Sequence, residues 1–175
     1  MKRKRRLIWL LFAAYCGIML WLLFGRGTHN AGYDYADSLI HNVNLLPFHT
    51  VSDQLRNLLN PLSPGLFTHA WINLGGNVAV FIPLGIFLPL IWASLRRFGR
   101  FFLASSGIIC TVEVLQWITL RGILDVDDYT LNMLGLLVGY ILFRLCSCLV
   151  KKAQISVKSA RNRLQEVCRS DIILW

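Results

Sequence analysis

The hydrophobic residues of this chain are gathered into four long blocks that short polar segments separate. Each block holds roughly 20 mostly apolar residues, the length that a helix needs to cross the hydrocarbon core of a membrane. The blocks are too long for barrel strands and lack the alternation of apolar and polar residues that such strands show. The pattern predicts four transmembrane helices, at about 7–25, 72–95, 101–120 and 129–150.

These blocks predict an all-α, polytopic membrane protein. A basic N-terminus covers residues 1–6, a membrane domain covers 7–150, and a basic tail covers 151–175. The longest polar segment, 26–71, is predicted to be an outer loop that contains a short interfacial helix with Ser52 as its cap. For the tail, a basic helix on lipid head groups and a loosely ordered chain are both consistent with the sequence, and we favour the second.

The first block follows five consecutive basic residues, Lys2–Arg6. This start is typical of a signal peptide, but the apolar stretch is longer than the roughly 7–15 residues of a signal sequence, and no A-x-A-like cleavage site follows. The block is therefore predicted to be an uncleaved membrane anchor.

The net charge of +9 is unevenly distributed along the chain. Fifteen lysines and arginines flank the blocks on one side, and only Arg26, Arg56 and Arg121 lie on the other. Cytoplasmic loops carry such an excess of basic residues, so both termini are predicted to be cytoplasmic. Because topology accounts for the charge, a nucleic-acid partner is not expected.

The sequence offers little support for a metal or a cofactor. The five cysteines lie in the spans or on the cytoplasmic side and form no C-x-x-C motif. The four histidines lack the spacing of a helical metal pair. The acidic turn at Asp125–Asp128 resembles a hard-cation site, but we favour a turn in which Asp127 or Asp128 stabilises the start of the fourth helix.

Polar side chains interrupt three of the blocks at a similar depth, in the half of the membrane predicted to be the outer one. Each block carries two polar residues three or four positions apart, a spacing that puts both on one face of a helix. Such pairs serve either as interhelical hydrogen bonds or as a site. The pairs are Asn73 and Asn77, Glu113 and Gln116, and Asp128 and Asn132.

Glu113 is the most informative of these residues, because a carboxyl group is costly inside a membrane. A glutamine or a serine would form an interhelical hydrogen bond at a lower cost. We expect Glu113 either to pair with Arg121 or to act as an acid, a base or a proton carrier. Arg121 is suited to bind phosphate or carboxylate. The predicted catalytic residues are Glu113, Arg121, Asp125 and Asp128, and the predicted ligand-binding residues are Asn77, Gln116 and Asn132.

The fourth block also contains Gly135 and Gly139, a G-x-x-x-G spacing that lets another helix approach closely.

An ordered set of motifs resembles the VanZ-like membrane protein family. The motifs are N-L-L-P-F at 44–48, G-N-V-A-V-F-I-P-L-G at 76–85, E-V-L-Q at 113–116, Arg121, D-V-D-D-Y-T-L-N-M-L-G at 125–135, and Gly139. The resemblance covers most of residues 7–146 and leaves the tail outside. It implies a multi-helix plasma-membrane protein. The family's founding member is linked with resistance to the glycopeptide teicoplanin, so a contribution to that resistance is an expectation.

The hypothesis for function is recognition or modification of a cell-envelope component at the outer leaflet, such as a lipid-linked precursor. A small proton-coupled transporter that uses Glu113 as its relay is one alternative. A non-catalytic accessory protein, in which the polar pairs only hold the helices together, is another.

The charge distribution generates a test of topology. In a cysteine-free background, a single cysteine at position 38 should react with an impermeant reagent in intact cells, and one at position 159 should not. The opposite labelling would contradict the predicted orientation.

Overall fold

The computed structural model describes residues 2–25, 34–59 and 64–172. Six helices and two very short strands make up this part of the chain. They are α1 (Lys2–Phe24), α2 (Tyr35–His41), β1 (Val43–Asn44), α3 (His49–Leu59), α4 (Pro64–Ile91), α5 (Phe98–Ile118), β2 (Leu124–Asp125) and α6 (Val126–Ile172), with a 3-10 turn at Ala93–Arg96.

Four of these helices are long and apolar enough to cross a membrane: α1, α4, α5 and the Val126–Ser159 part of α6. The predicted all-α, polytopic membrane fold is therefore confirmed. Two spans begin earlier than their apolar blocks. Helix α4 starts at Pro64, because proline suits the first turn of a helix, where its missing N–H costs nothing. Helix α6 starts at Val126, directly after Asp125.

Two predictions about the polar segments are wrong. Helix α6 continues to Ile172, so residues 151–172 of the tail form a helix and not a loosely ordered chain. Ser52 does not cap the short helix, because α3 begins at His49 and the Ser52 hydroxyl donates to the His49 carbonyl oxygen at 2.9 Å, inside the first turn.

One labelling position also needs to change. Ser38 is buried in α2, with 4% of its surface exposed. The exposed Asp53 on α3 is the better position in the same segment of the chain.

The chain forms two compact units, Met1–Tyr140 and Ile141–Trp175, the second of which continues α6. The first unit holds a core in which Phe81, Phe101 and Leu136 are fully buried. The Tyr15 hydroxyl donates to the Val80 carbonyl oxygen at 2.6 Å, which joins α1 to α4.

Helices α4 and α6 approach each other backbone to backbone. A Cβ atom at Gly135 would collide with the carbonyl oxygen of Val78, and one at Gly139 would collide with that of Ile82. Gly85 on α4 meets the backbone of α6 in the same way. The close approach predicted from the G-x-x-x-G spacing is confirmed, and α4 is the partner helix.

The two short strands join distant segments at the end of the bundle where α5 finishes and α6 begins. They pair in parallel, with Val43 opposite Leu124 and Asn44 opposite Asp125. The Leu124 N–H also donates to the Asn42 carbonyl oxygen at 3.0 Å. The segment before α3 is thus fixed against the segment before α6.

The contact between α4 and α6 can be tested by adding one methyl group. Gly135→Ala should lower the free energy of unfolding by about 1–3 kcal/mol, because overpacking forces the helices apart. The matched control is Gly107→Ala on α5, where nothing lies within 4 Å of an added Cβ. The control should be neutral or stabilising by up to about 1 kcal/mol, because alanine favours helix more than glycine does. Thermal unfolding in detergent measures both, and equal effects would contradict the contact.

Candidate functional site

Asp125 caps α6 and also binds the segment before α3. One carboxylate oxygen accepts from the backbone N–H of Asp127 at 2.8 Å, which is the bond of a helix N-cap. The other accepts from the Thr50 hydroxyl at 2.6 Å and from the Asn44 amide at 3.2 Å. The side chain is 6% exposed, so its burial is compensated by three donors.

Asp127 caps a helix other than its own. Its carboxylate oxygens accept from the backbone N–H groups of Phe48 at 2.6 Å and of Val51 at 3.0 Å. These N–H groups belong to the start of α3 and have no partner inside that helix. A carboxylate at a helix N-terminus is favourable both as a hydrogen-bond acceptor and as a charge. As expected, Asp127 and Asp128 lie in the first turn of α6. The hydrogen-bonded cap of α6 is Asp125, and Asp127 caps α3.

The backbone at this junction is held in an uncommon conformation. Phe48 has a φ of 62°, in the left-handed region that costs a non-glycine residue roughly 1–2 kcal/mol. The bonds to Asp127 hold the chain at Phe48 itself and one turn beyond it, at Val51. We call this arrangement the acidic latch; its members are Asp125 and Asp127 with their donors Asn44, Phe48, Thr50 and Val51.

A second polar group lies within the spans. The Asn132 amide donates to a carboxyl oxygen of Glu113 at 2.9 Å, and the two residues are only 2% and 4% exposed. The Asn77 amide donates to a carboxyl oxygen of Asp128 at 2.7 Å and to the Asn73 amide oxygen at 3.1 Å. Asp128 and Asn132 are one turn apart on α6, so both sets belong to one intramembrane cluster, which consists of these five residues.

Two features of the intramembrane cluster bear on its chemistry. The amide oxygen of Asn132 is buried and has no hydrogen-bond partner among the described residues. The carboxyl groups of Glu113 and Asp128 each accept a hydrogen bond from an amide of another helix, and both are held in the cluster in this way. A group that donates a hydrogen bond would satisfy the free oxygen of Asn132, and a positively charged group would offset the charge of an ionised carboxyl group.

Gln116 lies in the last turn of α5, and Arg121 lies in the connector that follows it. The Gln116 amide donates to the Leu23 carbonyl oxygen at 3.1 Å, in the last turn of α1, where carbonyl groups lack intrahelical partners. Gln116 therefore holds α1 against α5. The Arg121 N–H donates to the Gln116 carbonyl oxygen at 2.8 Å, and the Arg121 side chain is half-buried. The pairing of Arg121 with Glu113 stays a prediction.

Sequence reasoning gave no role to several residues that build this region. Asn44 stands in the quoted N-L-L-P-F motif, but nothing in that motif identifies Asp125 as its partner 81 positions away. The indole of Trp117 donates to the Leu39 carbonyl oxygen at 2.9 Å, and the Tyr35 hydroxyl donates to that of Ile118, also at 2.9 Å. Helices α2 and α5 thereby cap each other's last turns.

Within 2–25, 34–59 and 64–172, no group of three or more His, Cys, Asp and Glu side chains is placed to hold a metal ion.

Residues 12–147 match the profile of the family described as VanZ/LLP1. The matched range contains the whole of the acidic latch and of the intramembrane cluster, and the resemblance inferred from the motifs is confirmed. No curated protein matches the chain, and no solved structure matches it either.

The acidic latch generates a prediction about local stability. Asp127→Ala would leave two N–H groups at the start of α3 without an acceptor, at a cost of about 1–3 kcal/mol. Hydrogen exchange at 44–59 should speed up by roughly 5- to 150-fold, since about 1.4 kcal/mol corresponds to a factor of ten.

The control is Asp53→Ala, which removes only exposed ion pairs with His49 and Arg56. Such pairs contribute little to stability, so exchange should change little. Equal exchange in both variants would mean that Asp127 does not hold α3.

Proposed function

The chain belongs to the VanZ/LLP1 family, and on that premise we propose that it recognises or modifies a component of the cell envelope at the outer leaflet of the plasma membrane. The ligand classes that fit are a lipid-linked wall precursor and the anchor of a polyol-phosphate polymer. The proposal extends the family's association with teicoplanin resistance to this chain.

The observation that carries the proposal is the pairing of Glu113 with Asn132. Glu113 is buried inside a span and accepts a hydrogen bond from the neutral amide of Asn132. An uncharged side chain could accept the same hydrogen bond at a lower cost of burial. Helix cohesion alone therefore does not explain a carboxyl group at this position. The free Asn132 oxygen beside it supports the same view, because a hydroxyl or an ammonium group of a ligand would satisfy it.

Each member of the site has a distinct role in this proposal. Glu113 and Asp128 exchange protons with the ligand or hold its positive charge, while Asn132 and Asn77 fix the positions of those carboxyl groups. Arg121, in the connector after α5, binds a phosphate or carboxylate of the ligand. Asp125 was predicted to be catalytic, but we now assign it to positioning, because its oxygens already accept from three donors.

The orientation of the chain is part of the proposal. The excess of basic residues around the ends of α1 and α6 and between α4 and α5 favours cytoplasmic termini. The acidic latch and the intramembrane cluster then lie towards the outer leaflet, where wall precursors are used.

A proton-coupled transporter is the second candidate. Polar groups continue along α5 away from Glu113: the Ser106 and Tyr129 hydroxyls lie 2.8 Å apart, and the fully buried Ser105 hydroxyl has no partner among the described residues. Uptake of protons into vesicles containing the purified protein, driven by an imposed potential, would favour this candidate.

Replacing Glu113 by its amide separates a chemical role from a structural one. Glu113→Gln keeps the side-chain shape and an oxygen that accepts from Asn132, so stability should change by less than about 1 kcal/mol. Any envelope phenotype, measured as teicoplanin susceptibility, should be lost, because the amide neither ionises nor carries a proton. Where the site is catalytic, the rate should fall about 100-fold or more.

Arg121→Ala should abolish the same phenotype and should remove any lipid that co-purifies with the protein. Arg97→Ala is the control: it lies between α4 and α5, where Arg96 and Arg100 duplicate its charge, so the phenotype should persist. Full activity of Glu113→Gln would reduce the intramembrane cluster to a structural role and end the catalytic assignment.

A further inference from the structure

Large apolar side chains are exposed along the short segment that leads into and through α3. The exposed fractions are 65% for Leu46, 68% for Phe48 and 71% for Leu59. A concentration of exposed apolar side chains of this kind marks a surface that contacts something other than water. We call the segment Leu45–Leu59 the apolar arm.

Helix α3 divides the apolar arm into two opposed faces. At about 100° per residue, His49, Asp53 and Arg56 fall on one side of the helix. Val51, Leu55 and Leu58 fall on the opposite side, and Leu59 lies at the border between the two. The charged side chains interact with one another, with Asp53 lying 3.9 Å from His49 and 3.7 Å from Arg56. One face is therefore suited to water and the other to an apolar phase.

The acidic latch fixes the level of the apolar arm relative to the membrane. Asp127 holds the Phe48 and Val51 N–H groups, so α3 begins beside the first residues of α6. Because α6 is a membrane span from Val126 onward, the arm starts where a span meets its polar connector. Trp71, near the start of α4, is 58% exposed, and tryptophan is enriched at such boundaries.

We propose that the apolar arm lies in the plane of the lipid–water interface, with Leu46, Phe48 and Leu59 among the acyl chains. Its occupant is the lipid leaflet, because the arm is held beside the first residues of a span and exposes large apolar side chains there. A helix with one charged face and one apolar face, held at the membrane boundary, contacts water and acyl chains at the same time. This inference does not depend on what the intramembrane cluster binds.

Depth-dependent quenching tests the proposal in the full chain. Single cysteines are introduced as Leu46→Cys or Leu59→Cys in a cysteine-free background and labelled with an environment-sensitive fluorophore. The protein is reconstituted into vesicles of phosphatidylcholine and phosphatidylglycerol. Two quenchers are compared: iodide present on both sides of the membrane, and lipids that carry a nitroxide near the head group.

The matched control is Asp53→Cys, on the charged face of the same helix. Labels at positions 46 and 59 should be quenched several-fold more by the nitroxide lipids than the label at 53, and iodide should give the reverse order. Leu55→Cys supplies a further position on the apolar face where one of the other variants does not fold.

Two results would overturn the proposal. Strong iodide quenching at 46 and 59, equal to that at 53, would place the apolar arm in water. Protection of these labels from both quenchers would mean that protein covers the arm, and cross-linking would then show whether the cover is a second copy of the chain.

Discussion

The backbone contact between α4 and α6 is the constraint on which the intramembrane cluster depends. Asn77 precedes Val78, whose carbonyl oxygen faces Gly135, and Asp128 and Asn132 lie in the two turns of α6 before that glycine. Side chains at Gly85, Gly135 or Gly139 would hold the helices apart and carry the Asn77 amide away from Asp128. The glycines of the contact between α4 and α6 therefore keep the polar residues of the neighbouring turns close enough to form hydrogen bonds.

The four carboxyl groups near this contact divide into two kinds. Asp125 and Asp127 are surrounded by donors from the chain itself, including a helix start for each of them, so their burial is compensated inside the fold. Glu113 accepts from the Asn132 amide and Asp128 from the Asn77 amide, and both amides are neutral. The carboxyl groups of Glu113 and Asp128 can therefore accept further hydrogen bonds from a ligand or bind a proton.

The sequence predicted the four spans because apolar length alone decides what crosses a membrane. It also predicted the polar pairs, because their spacing within each helix is local. It could not predict that Asp127 caps α3, since donor and acceptor lie 79 and 76 positions apart and only the packed helices bring them together. Glu113 and Asn132 were expected at one depth, and the bond between their side chains is seen only in the packed helices. The helical tail was missed because polar composition alone does not distinguish a solvated helix from a loose chain.

Helices in backbone contact have almost no freedom to slide or rotate against each other, since carbonyl groups and α-carbons do not change rotamers as side chains do. Within Met1–Tyr140, α4 and α6 should therefore move as one rigid body. Any conformational cycle would have to displace α5, which the Glu113–Asn132 bond joins to this body, or α1, which the Tyr15–Val80 bond joins to it. A change in the protonation of Glu113 would then alter the Glu113–Asn132 bond and leave the backbone contact between α4 and α6 unchanged. The position of α5 would therefore depend on whether the intramembrane cluster holds a proton or a ligand.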